Sequence, residues 1–131
     1  MELTINGQVY QFNFGMGFLR EINKKIGVPI QGTKDAKKNV GLQYAVAGIV
    51  DNDVEELVDV LNAANKGEKP RVTQQMLDDY IDQEDTDIDA LFDEVLDFLK
   101  KTNATKKTTM EILKEVEKAE KNKSGGKNPK K

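Results

Sequence analysis

Residues 40–65, VGLQYAVAGIVDNDVEELVDVLNAAN, decide the fold. Apolar side chains recur at helical spacing through Leu42, Ala45, Val46, Ile49 and Val50, and again through Val54, Leu57, Val58, Leu61 and Ala64. Between the two sets stand Asp51, Asn52 and Asp53, whose short polar side chains bond to nearby backbone and favour turns and caps. Asp53 is placed to cap the second helix, with Glu56 in the capping-box position. The stretch therefore predicts two helices folded back as a hairpin. Each carries an apolar stripe wide enough to need cover from more than one side. These residues read as core, so function is expected elsewhere.

Upstream, residues 3–5 and 9–12 alternate apolar with polar around Asn6 and Gly7. Asn-Gly favours a type I′ turn, which needs positive φ at both central residues, so the chain should open with a β-hairpin. Its apolar side would carry Leu3, Ile5, Val9 and, according to register, Phe12 or Tyr10. Two strands alone are marginal in water, so the hairpin must lie on the helices. Gly15, Met16 and Gly17 lead into a first helix with Phe18, Leu19, Ile22 and Ile26 on one face and Arg20, Glu21, Lys24 and Lys25 outside. The glycine pair is not a phosphate loop, because the later glycine and the Lys-Thr or Lys-Ser pair are missing. Gly27 and Pro29 should end this helix, and residues 27–38 should form the longest irregular connection.

Downstream, residues 66–70 read as a loop, and Thr73 caps a short helix that turns Met76, Leu77, Tyr80 and Ile81 inward. Residues 83–86 break it. Residues 87–101 form the clearest helix, with Ile88, Leu91, Phe92, Val95, Leu96, Phe98 and Leu99 on one face and Thr86 as the expected cap. Asp87 and Asp89 in its first turn and Lys100 and Lys101 in its last all suit the helix dipole. Residues 102–107 read as a polar linker, after which Thr108 and Glu111 form a capping box. Met110, Ile112, Leu113, Val116 and Ala119 then give a last, weaker stripe. From Lys121 onward the composition cannot bury a core, and disorder is expected. The chain reads as α+β, mostly α: an N-terminal β-hairpin packed on a bundle of about five to six helices. Its expected parts are a globular domain at 1–101, a linker and C-terminal amphipathic helix at 102–120, and a disordered basic tail at 121–131.

Composition narrows the chemistry. The chain has no cysteine and no histidine, and its one serine, Ser124, sits in the Gly/Lys-rich tail. Thiol, imidazole and preorganised serine chemistry are thereby removed, and no enzyme activity, cofactor or metal site is expected. No apolar run approaches the ~18–20 residues of a membrane span, and no signal-peptide pattern opens the chain, so no membrane partner is expected. The net charge of −3 conceals an asymmetry. Residues 1–50 carry six basic and three acidic side chains, residues 51–97 three basic and sixteen acidic, and residues 98–131 eleven basic and four acidic. The middle block, at −13, repels nucleic acid, so no nucleic-acid partner is expected through the fold.

Two acidic constellations were candidates for chemistry. Asp85, Asp87 and Asp89 match the first ligand positions of an EF-hand loop, but Ala90 replaces its glycine and Leu96 its bidentate glutamate. Carboxylate pairs such as Asp78 with Asp79 and Asp93 with Glu94 could do acid–base work only in a lined cleft. With eight aromatic residues, no Trp and most of the Phe on helix faces, the sequence offers no such lining. The acids read as a solvated outer surface.

As ordered blocks, MELTINGQVYQFNFGMGFLREIN (1–23), VGLQYAVAGIVDNDVEELVDVLNAAN (40–65), RVTQQMLDDYID (71–82) and DIDALFDEVLDFLKKTNATKK (87–107) resemble the tail assembly chaperones of long-tailed bacteriophages that infect Gram-positive bacteria. The resemblance implies a non-enzymatic factor made in the host cytoplasm and absent from the mature virion. It implies binding and solubilising of the tape-measure protein and help in recruiting the major tail protein. It also implies a frameshifted longer form that contacts the major tail protein; the ending KNKSGGKNPKK fits the shorter form. A homo-oligomer strung along the client is expected.

The family pattern assigns no binding residues here. The stripe Ile112, Leu113, Val116 and Ala119 is the candidate protein-binding surface on physical grounds, because a weak stripe after a polar linker can serve a neighbour or client as well as its own domain. The alternative reading is an acidic DNA mimic acting on a DNA-binding protein through residues 51–97. A hydrolase using Asp79 or Asp93 ranks last.

Overall fold

The computed structural model describes residues 1–26 and 40–127, with backbone alone at 25, 26 and 122–127. Two strands, β1 (Glu2–Ile5) and β2 (Gln8–Gln11), are followed by α1 (Met16–Ile26), α2 (Val40–Val50), α3 (Val54–Asn65), α4 (Gln74–Asp82), α5 (Ile88–Lys101) and α6 (Lys106–Lys127). The described residues are α+β and mostly α. The expected connection at 27–38, with the helix stop at Gly27, lies outside the described residues.

The hairpin forms as its turn chemistry dictates. Asn6 and Gly7 have φ of 53° and 79°, both in the left-handed region that the type I′ turn requires. Ile5 pairs with Gln8 and Leu3 with Tyr10, so Thr4 and Val9 face the other way. This corrects the expected apolar side. Val9 points outward, and Tyr10 and Phe12, which share its opposite face, are both buried with Leu3 and Ile5.

α2 is the centre of the molecule. Leu42, Ala45 and Val46 are fully buried, while Val40, Ala47, Gly48 and Val50 on its other sides are half-buried. A helix this apolar needs cover on several sides, and α1, α3, α5 and α6 pack against it, leaving Gln43 and Tyr44 exposed. The turn to α3 is made by Asn52 in the left-handed conformation (φ 59°) and by Asp53, whose Oδ1 accepts from the Glu56 N–H at 3.2 Å. The Asp53 N–H donates to the Gly48 carbonyl at 2.9 Å, which pins the turn back onto α2. Thr73 caps α4 as expected, its Oγ1 accepting from the Met76 N–H at 3.1 Å. Leu77 is fully buried, and Met76, Tyr80 and Ile81 are partly buried against the core.

α5 starts one residue later than expected. Asp87 caps it, accepting from the Ala90 N–H at 3.0 Å, while the Thr86 hydroxyl donates to the Tyr80 carbonyl at 2.6 Å and closes the end of α4. Leu91, Phe92, Val95 and Leu99 are the buried face of α5. Phe98 stacks on Phe14, ring centroids 5.8 Å apart, tying α5 to the segment before α1.

One exposed tie joins α1 to α3. Lys66 Nζ lies 3.0 Å from Glu21 Oε2, and Lys24 Nζ lies 3.5 Å from Oε1. The hydrogen bond from Lys66 holds the Glu21 carboxyl below its ordinary value; partial burial opposes this, and the Lys24 and Lys66 charges reinforce it. A lowered carboxyl stabilises the fold above its unfolded pKa, and that contribution is lost as pH falls through the folded value. Glu21→Gln should therefore cost under about 1 kcal/mol at pH 7. The gap between variant and wild type should close below pH 4.5. Urea unfolding at neutral and acid pH measures it, and a gap that persists in acid refutes the assignment.

Candidate protein-binding surface

The passage from α5 to α6 is built from threonines. Thr102 donates to the Phe98 carbonyl from both its N–H (3.0 Å) and its Oγ1 (2.6 Å). Thr105 Oγ1 donates to the Leu99 carbonyl at 2.8 Å, and Thr109 Oγ1 to the Thr105 carbonyl at 2.8 Å. The last carbonyls of a helix have no partner within it, and here side-chain hydroxyls supply one. Lys106 N–H already donates to the Thr102 carbonyl at 2.8 Å, so α6 begins at Lys106. The expected linker at 102–107 is thus a tight turn and the first turn of α6. Thr108 lies inside the helix, 9% exposed, and does not cap it.

α6 also continues further than its stripe suggested. It runs to Lys127, into the stretch from Lys121 expected to be disordered. At about 1.5 Å per residue it is roughly 33 Å long. Its root is buried through Thr105, Thr108 and Thr109, and it packs on α2 and α5.

The candidate residues are distributed along this helix. Ile112 is half-buried and packs against the core. Leu113 and Val116 are half-buried, and Ala119 is exposed. Ile112, Val116 and Ala119 follow one line of i, i+4, i+7 spacing that starts on the domain and leaves it. Leu113 lies to the side of that line. With Met110, which is 50% exposed, it floors a shallow depression of about 430 Å³ edged by Lys107, Glu111, Lys114 and Glu117. Met110 belonged to the stripe in the sequence, but only its exposure sets it among the surface residues.

The acidic block takes its place around α3 to α5. Asp87 is committed to its cap, and Asp89 lies in the first turn of α5. Burial pushes the Tyr80 hydroxyl up, with the Glu94 and Asp85 carboxylates adding to it. Among the described residues no group of three or more potential ligands is arranged to hold a metal ion, and no helix is long and apolar enough to cross a membrane.

A β-hairpin on a helical bundle, with one long helix leaving the domain, defines a small, mostly helical protein. The model of the phage tail assembly chaperone protein family, TAC, matches residues 2–120, and the chain belongs to this family. Its role is that of a tail assembly chaperone, with protein partners in tail assembly. No curated protein and no solved structure gives a significant match to the chain.

Proposed function

We propose that this chaperone serves a long-tailed phage of Gram-positive bacteria by binding and solubilising the tape-measure protein, without catalysis. It self-associates along that client and helps recruit the major tail protein, through a frameshifted longer form. It acts in the host cytoplasm and does not remain in the mature virion. The client-binding face is the outer side of α6, formed by Leu113, Val116 and Ala119 with Met110 beside them and Ile112 at the root.

The observation that carries this reading is that α6 leaves the domain with apolar residues still uncovered. A tape-measure protein is a long helical polypeptide with apolar stripes, and an open helix face can take such a stripe in many weak, repeated contacts. The acidic block supplies the charge that keeps the assembly dispersed.

Co-expression with the tape-measure protein of the same phage should raise that protein's soluble yield, and the two should co-purify. Burying a Met or Leu side chain contributes about 1.5–3 kcal/mol, so Met110→Asp with Leu113→Asp should weaken capture at least about tenfold while leaving the melting temperature within a few degrees. Capture unchanged by the pair, or no gain in soluble yield with the wild type, rejects the proposal. Salt-sensitive binding to a basic DNA-binding protein, indifferent to truncation after Lys107, would favour the acidic-mimic reading.

A further inference from the structure

A groove of about 490 Å³ runs between α3 and α4. Val54, Val58 and Ile81 form its floor, and Glu55, Asp78 and Asp82 stand along its rim. Val54 is 41% exposed, an uncovered apolar residue at the start of α3. The acids on α4 occupy an unfavourable place. Asp82 closes that helix at the carbonyl end, where the helix dipole favours cations and the last turn contains no basic residue, and Asp78 lies one turn before it. Helix end and carboxylates thus draw a cation to the same spot. The apolar floor beneath them suits the methylene stem of a lysine, whose charged head reaches the rim.

We infer that this groove accepts the lysine-rich C-terminal end of α6 from a second copy of the chain. Lys118 and Lys121 are exposed one turn apart on α6, and Lys123 and Lys127 follow within the helix. Residues 98–131 carry +7 and residues 51–97 carry −13, so the two surfaces are complementary in charge. α6 is continuous and packs its root on α2 and α5. Among the described residues none of α6 lines the groove of its own chain, which leaves the groove open to a neighbour's. Donor and acceptor are different surfaces, so the contact is head-to-tail and propagates from copy to copy unless it closes into a ring. The inference rests on the self-association proposed above and assigns its surfaces.

Light scattering of the full chain over a concentration series, at low and high salt, provides the test. The wild type should associate, and high salt should weaken association at least about tenfold. Glu55→Lys with Asp82→Lys reverses the acceptor, and Lys118→Glu with Lys121→Glu reverses the donor. Each pair alone should be monomeric with a cooperative melt, and an equimolar mixture of the two should associate again. Wild type that stays monomeric at every concentration overturns both self-association and this interface. Wild type that associates, with both reversed proteins associating equally well or with a mixture that fails to restore association, overturns the interface and leaves self-association standing.

Discussion

Asn65→Ala is expected to destabilise the fold by about 3 kcal/mol, far more than a polar residue at a helix end would ordinarily cost. Asn65 is fully buried at the end of α3, and its amide joins three segments. Nδ2 donates to the Gln11 carbonyl at 2.9 Å and to the Pro70 carbonyl at 3.3 Å. Oδ1 accepts from the Val72 N–H at 2.6 Å and from Arg71 Nη1 at 2.9 Å. Alanine would strand the buried Val72 N–H and the Gln11 carbonyl, each at about 1–3 kcal/mol. Asn65→Asp keeps the accepting oxygen but turns a buried carboxylate oxygen onto the Gln11 and Pro70 carbonyls, so its cost should be no smaller than that of alanine. Chemical denaturation measures both, and a loss below about 1 kcal/mol for alanine would show that water replaces the amide.

Gly41→Ala should cost about 3 kcal/mol as well, although alanine is the better helix former by about 1 kcal/mol. Gly41 lies in α2 where that helix crosses α1. A Cβ there would sit 2.6 Å from the Asn23 Cα and closer still to the Ile22 carbonyl oxygen. Both obstacles are backbone, so relief requires the two helices to separate. Asn23 holds them together at the same crossing, its Oδ1 accepting from the Leu42 N–H at 2.9 Å. Gly17→Ala is the control. It lies in the first turn of α1 with nothing within 4 Å of an added Cβ, and should be neutral or stabilising by up to about 0.5 kcal/mol. Equal effects at the two glycines would contradict the helix crossing described above.

Much of this architecture was legible because its causes are local. Asn6 and Gly7 specify a turn of one handedness, and Asp53 and Thr73 specify helix starts, whatever surrounds them. What depended on distant partners was not. The inward side of β2 follows from pairing Ile5 with Gln8, a register that set Tyr10 and Phe12 on the buried face together and turned Val9 outward. Thr86 and Asp87 are both good capping residues, and which one caps was decided by the Tyr80 carbonyl waiting for the Thr86 hydroxyl. Asn65 reads in sequence as an ordinary polar helix end, because periodicity cannot separate a solvated amide from a buried one. Helicity beyond residue 120 was masked by a composition without apolar residues to bury.

The candidate surface was legible only as a weak stripe. Spacing picked out Ile112, Leu113, Val116 and Ala119, but Ile112 is partly spent on its own core and Met110 is more open than Ile112, Leu113 or Val116. The acidic groove between α3 and α4 lies across two segments separated in sequence, and no pattern within either announces it.

The threonine turn between α5 and α6 has a consequence for whatever meets the far end of α6. Methyl groups pressed together resist separation but tolerate rotation, whereas hydroxyls bonded to particular carbonyls resist both. A tilt of about 10° at the base of a rod some 33 Å long would displace its tip by nearly 6 Å, about one helical turn. By bracing the base with oriented bonds, Thr102, Thr105 and Thr109 give the rod a bearing as well as an anchor.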